Sequence, residues 1–120
     1  MKYYRNVILV GVKLGIIDNF ELQKEYILQP KYTHAGKTVQ PIKYVADFFI
    51  EYNGGRCEVV DTKGFADSIA TMKRKMFWFT HPEITFRWVG YSKIDGGWCD
   101  YEFIQQQRKK RKKEKQMKAV

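Results

Sequence analysis

Tyr44 to Tyr52 reads YVADFFIEY and Cys57 to Phe65 reads CEVVDTKGF, with Asn53-Gly54-Gly55 in the connection between them. Both runs are apolar enough for half-buried strands, and Asn and Gly accept the positive φ angles of a tight turn. The two should therefore pair as an antiparallel hairpin. Side chains alternate along a strand, so Asp61 and Lys63 share a side, and the hairpin can bring Asp47, fourteen residues before Asp61, to the same open end. Acidic groups rising from an apolar context with a lysine beside them suit a hard divalent cation. Asp47 and Asp61, with the backbone carbonyl of Thr62, are candidate oxygen ligands for Mg²⁺ or Mn²⁺. Lys63 would hold or deprotonate a water, or neutralise the charge that develops on an attacked phosphate. The chemistry such a cleft supports is metal-assisted hydrolysis of a phosphodiester.

Outward from the hairpin, the expected order is helix, strand, strand, strand, helix, strand, hairpin, basic helix. Lys2 to Leu14 holds β-branched residues that would suit a strand, but its unbroken apolar character and Gly15 at its end favour a buried helix with a glycine cap. Phe20 to Leu28, closed by Pro30, reads as an edge strand, and the polar stretch Lys31 to Pro41 as a loop. Phe65 to Thr80 reads as an amphipathic helix capped by Asp67 or Ser68. Its apolar stripe would be Ile69, Met72, Met76 and Phe79, and Lys73, Arg74 and Lys75 would form a basic face. Ile84 to Tyr91 follows as a strand. Asp95-Gly96-Gly97 turns into Trp98, after which Asp100 could cap a last helix.

The chain of 120 residues is 44% apolar and 16% aromatic, enough for one domain with its own core. Its formal charge of +9 is unevenly placed. Arg108 to Val120 holds eight Lys or Arg and one Glu, net +7, which leaves +2 for residues 1 to 107. The domain is thus read as residues 1–107, followed by a basic tail, 108–120, expected as a frayed helix or disordered arm. Arg108, Lys109, Lys110, Arg111, Lys112 and Lys113 would track nucleic-acid phosphates, supplying affinity without sequence choice. Cys57 and Cys99 have no partner spacing and read as reduced thiols in a reducing compartment, so a cytoplasmic location is expected. No apolar stretch is long enough for a bilayer. No small-molecule cofactor is implied.

The run from Phe20 to about Val89, with FELQ, KYVADFFIEY, EVVDTKG and MKRKMF, resembles an uncharacterised family of phage and prophage proteins placed in the PD-(D/E)xK nuclease superfamily. Within it, the chain looks most similar to the small Holliday-junction resolvases. The resemblance implies an α/β (α+β), restriction-endonuclease-like core, a mixed central sheet flanked by helices. It assigns Asp47 to the first acid, Asp61 to the second, Lys63 to the lysine, and Lys73 to a phosphate-contacting position. It also implies Mg²⁺, branched or recombination DNA as substrate, a bacterial host cytoplasm, and a homodimer, because a junction is two-fold symmetric. Ala46 stands where the superfamily name has proline. Members also carry a Glu on the first helix, in an SxLE-like segment, whereas residues 1 to 17 here hold no Asp or Glu. The opening MKYYRNV resembles the portion just after that Glu, so Met1 is expected to be internal to the ancestral helix and metal binding to be weak. Glu21 and Glu25 are candidate substitutes.

Other signals carry less. Lys63-Gly64-Phe65-Ala66 imitates the start of an RNA-recognition strand motif, but Asp67 and Ile69 stand where aromatics are required. His34 and His81 have no ligand-spaced partners. The tryptophans at 78, 88 and 98 read as core before they read as base-stacking platforms. The leading reading is a Mg²⁺-dependent DNA endonuclease. The alternatives are a catalytically weak or inactive DNA-binding protein on the same scaffold, and a basic RNA-binding module in which Asp61 and Lys63 are only a surface ion pair.

Overall fold

Asn53 to Arg56 does close a hairpin, with Gly54 and Gly55 at φ 88° and 85°, a backbone region open to glycine. The structure, a computed structural model, describes residues 2–118, so Met1 and the last tail residues, Ala119 and Val120, lie outside the described residues. A π-helical segment, Tyr4–Ile8, continues into α1 (Leu9–Lys13). Then follow β1 (Ile17–Gln29), β2 (Tyr32–His34), β3 (Lys37–Val39), β4 (Ile42–Tyr52), β5 (Cys57–Thr62), α2 (Ser68–Thr80), β6 (Thr85–Ser92), β7 (Gly97–Asp100) and α3 (Tyr101–Lys118).

The main sheet has five strands in the order β1-β4-β5-β6-β7. All neighbours pair antiparallel except β5 and β6, which run parallel and are joined across one face by α2. The result is a mixed central sheet flanked by helices, the α+β arrangement expected of a restriction-endonuclease-like core, with β1 at its edge as anticipated. Adjacent Val59 and Val60 in central β5 are both fully buried but point into different clusters. Val60 joins Tyr3, Ile8, Ile17, Phe48 and Ile50 under the N-terminal helix. Val59 joins Tyr26, Tyr44, Ala46 and Phe77 under α2.

One irregularity in this pattern positions the site. Tyr44, Ala46, Phe48 and Ile50 are alternate residues of β4, yet the first pair packs under α2 and the second under the N-terminal helix. β1 does the same, with Tyr26 on one face and Phe20 on the other. Both strands therefore change face between Ala46 and Phe48 and between their partners Lys24 and Leu22. Gln23 sits at that break with φ 54°, a rare conformation for a non-glycine residue. Across the sheet from it stands Asp47.

Several expectations need correction. The N-terminal segment, expected as a buried helix, leaves Leu9, Val10, Val12 and Leu14 41–68% exposed, and Trp78, read as core, is 48% exposed. The stretch from Lys31 to Pro41 is not a loop: β2 and β3 form a separate two-stranded hairpin, Tyr32 to Val39, turned by Ala35 and Gly36, both at positive φ. Of the stripe Ile69, Met72, Met76 and Phe79, only Met76 packs against the core under α2. Ile69, Met72 and Phe79 are 60%, 48% and 87% exposed, whereas Phe77 is 0% exposed. Half-buried Ala70, Lys73 and Arg74 complete the inward face at helical spacing. Charged residues can take core-facing positions by burying their stems while the heads find partners. Finally, Asp100 precedes α3, but its carboxylate accepts from Arg87 (Nε 3.0 Å, Nη2 2.8 Å), so its role is to tie β7 to β6. Asp67 does cap α2, accepting from the Ala70 amide at 2.8 Å.

Candidate functional site

At the break in β4 the backbone ladder to β5 ends at Phe48, opposite Val60. The Asp47 amide is left without a strand partner and donates instead to Asp61 Oδ1 at 2.8 Å. Asp61 Oδ2 accepts from the Tyr44 hydroxyl at 2.5 Å. Asp47 in turn accepts from the amide and hydroxyl of Thr62, 3.0 and 3.2 Å away, and from the Gln23 side-chain amide at 3.4 Å. Each carboxylate thus locks the other's strand. The Lys63 amide donates to the Val89 carbonyl at 2.7 Å, which places its Nζ 3.9 Å from Asp61 Oδ2.

These groups open into a cleft of about 330 Å³ lined by Asp47, Asp61, Lys63 and Tyr44, with Lys73 and Ala70 on its α2 wall and Lys43 at its β4 edge. Four of the residues singled out in the sequence, Asp47, Asp61, Lys63 and Lys73, therefore meet in one place. Thr62 lies beside them through its bonds to Asp47. Asp61 is only 3% exposed, and burial pushes its carboxyl above the usual carboxylate range. The hydrogen bonds from Tyr44 and the Asp47 amide, and the nearby Lys63 charge, oppose that rise, while the Asp47 charge adds to it. Burial, and next the Asp61 charge, drive the Tyr44 hydroxyl far above its ordinary range, so it remains a donor throughout physiological pH.

The other basic positions divide. Arg74 turns away from the cleft, stacks on Trp88 at 3.8 Å from the ring centroid and pairs with Glu102 of α3. Lys75 is exposed on α2. Arg108 lines a neighbouring pocket that also includes Lys63. Arg111 is drawn onto the domain by Asp95, 2.7 Å away. Lys109, Lys110, Lys112 and Lys113 are exposed along α3, which runs unbroken from Tyr101 to Lys118. Glu21 and Glu25 do not line the cleft; they pair with Lys24 and Lys43 at 3.6 and 3.1 Å.

Tyr44, Lys43 and Gln23 belong to the site but were not singled out from the sequence. Tyr44 carries a signal in retrospect, since an aromatic with a hydroxyl in a buried strand needs a polar partner. The position of Gln23 depends on a backbone break that no local pattern announces.

Among the described residues, no group of three or more His, Cys, Asp or Glu side chains is placed to hold a metal. Asp67, the third carboxylate lining the cleft, caps α2, which leaves the Asp47–Asp61 pair, and that donor set fits Mg²⁺, which is held by one or two carboxylates with water and substrate phosphate filling its octahedron. It does not fit an all-protein cage of the kind zinc occupies. No helix among the described residues is long and apolar enough to cross a membrane.

No curated protein and no solved structure matches the chain. One family model does, over residues 1–95, the part that contains the whole cleft, and the chain belongs to that family, described as protein of unknown function (DUF1064).

Proposed function

We propose that this protein is a Mg²⁺-dependent DNA endonuclease of the PD-(D/E)xK type, of phage origin, acting on branched or recombination DNA as a homodimer in the bacterial cytoplasm. The observation that carries the reading is the convergence of Asp47, Asp61, Lys63 and Lys73 in one cleft through an interrupted strand. A merely structural ion pair would not require two strands to change face together.

Asp47, Asp61 and the Thr62 carbonyl would hold the cation, and the cation, when bound, supplies Lewis-acid polarisation at the scissile phosphate. The protein's own groups do the rest. Tyr44 and the Asp47 amide fix the Asp61 carboxylate in one orientation, so little reorganisation is needed on binding. Lys63 is within reach of a water or a non-bridging phosphate oxygen next to Asp61 and can orient the first or neutralise the second. Lys73 and Lys43 at the cleft wall and edge offset the charge of the DNA backbone on entry.

One observation favours a second reading, an inactive DNA-binding scaffold. The described N-terminal helical segment offers no carboxylate, and Asp67 is engaged in capping α2, which leaves Asp47 and Asp61 as the carboxylates free to meet a cation. Asp61→Asn separates the readings. A nuclease loses at least about a hundredfold in cleavage rate while its affinity for DNA in EDTA is unchanged or raised. Cleavage equal to wild type would reject the assigned site, and an uncut junction bound tightly by both proteins would establish the scaffold.

A further inference from the structure

A second pocket, of about 270 Å³, lies on the far side of Lys63 from the carboxylates, between the β6–β7 hairpin and α3. Its volume is just below that of pockets for drug-sized ligands, and suits one flat ring system rather than a base pair. Tyr91, Trp98 and Tyr101 supply aromatic surface, and Gly90 lets Ile104 and the Lys63 carbonyl close the floor, 3.0 and 3.1 Å from where a Cβ would stand. Tyr91 is 48% exposed, although it is a large aromatic residue in a sheet; Lys2 Nζ lies over its ring, 4.3 Å from the centroid, and Trp98 meets it edge-on at 5.4 Å. Among the described residues, the charged ones lining this pocket are Lys63 and Arg108, both positive, whereas the catalytic cleft mixes Asp47, Asp61 and Asp67 with its lysines. An aromatic slot lined by two cations and no carboxylate among these residues has the chemistry of a nucleotide unit, with the base against the rings and the phosphate toward the cations.

The geometry points to this slot as the seat of a single unpaired nucleotide, extruded from the duplex next to the phosphate at Lys63. The two pockets share Lys63, so a strand crossing from one to the other presents consecutive nucleotides to the base slot and the carboxylates. A base must leave its stack to enter, and this is cheapest where it is already unpaired, at a junction, flap or bulge. The slot thereby selects such DNA over plain duplex. The inference takes its substrate class from the nuclease reading, but its readout is binding in EDTA, independent of cleavage.

The test uses the full chain with 5-iododeoxyuridine placed in a duplex either as a single-nucleotide bulge or paired, followed by photocrosslinking and mapping of the adduct. The expected result is an adduct on Tyr91 or Trp98 from the bulge alone. The bulged DNA should also bind about tenfold more tightly than the paired one. Tyr91→Ala should erase that preference, Tyr91→Phe should restore it, and Arg108→Ala should weaken it independently. Equal binding of bulged and paired DNA, or adducts unaffected by Tyr91→Ala, would overturn the proposal. Free 5-iododeoxyuridine monophosphate competing as well as the bulged strand would overturn it too, since the slot would then serve a free nucleotide.

Discussion

Asp61 is a buried carboxylate whose folded pKa lies above its ordinary value, chiefly through desolvation. The folded state therefore binds this proton more tightly than the unfolded one. Stability falls as pH rises from the ordinary carboxylate value, about 3.9, to the raised folded value, and stays lower above it. Asp61→Asn removes that charge, keeps one oxygen for the Asp47 amide and can donate to Tyr44. The variant should melt a few degrees higher than wild type at neutral pH, with the difference shrinking as pH falls toward 4. Tyr44→Phe should do the opposite, because it strips a donor from a buried carboxylate, and should cost about 1.5–3 kcal/mol in denaturant unfolding. Opposite signs from two partners in one hydrogen bond would not arise from a passive core contact. At this scale the sequence was a good guide to Asp47, Asp61 and Lys63, because strand alternation and one turn type bring them together. It was a poor guide to Tyr44 and Gln23, which matter through a break in that same alternation.

The elements show where local pattern is decisive and where partners far along the chain override it. The β4–β5 hairpin was legible because its turn chemistry and both strand patterns agree. The β2–β3 hairpin was not: its strands are three residues each, polar, and turned partly by Ala35, a residue without strong turn preference. The inward face of α2 was misjudged because Arg74 was counted as surface. Arg74 is held inside by Trp88 and Glu102, from elements that follow α2 in the chain. Phe77, fully buried between Tyr26, Tyr44 and Phe86, is the residue that anchors α2. Phe77→Ala should cost about 3–5 kcal/mol, and Phe79→Ala, on the exposed side, little or nothing in the same unfolding measurement. Docking of α3 has a pH signature. Arg111 and Ser92 hold the Asp95 carboxyl below its usual range, so their contribution is complete above the ordinary carboxylate pKa and is lost as pH falls through the folded value. Protection of α3 against hydrogen exchange, referred to the intrinsic rate at each pH, should fall on acidification below about pH 4, and Asp95→Asn should show the lower protection already at neutral pH.

For the whole molecule, a cleft with a basic wall continues through Lys63 to a helix with Arg108 on its docked side and lysines beyond. The tail, expected as a frayed helix or disordered arm, instead continues α3 unbroken to Lys118 and extends this track. Removing residues 112–120 takes away four lysines and one glutamate but spares the Arg111–Asp95 attachment. DNA binding should weaken and the slope of log K against log salt should flatten by roughly 0.9 for each phosphate the shortened helix no longer neutralises, with the folded domain intact by circular dichroism. The central claim is that the cleft cuts DNA with a divalent cation. It is tested most directly by incubating a labelled four-way junction and a linear duplex with Mg²⁺, Mn²⁺ or EDTA, using wild type and Lys63→Ala. The account predicts metal-dependent cutting of the junction in preference to the duplex, abolished in Lys63→Ala. Binding without cutting under every metal condition, or cutting that Lys63→Ala retains in full, would contradict it.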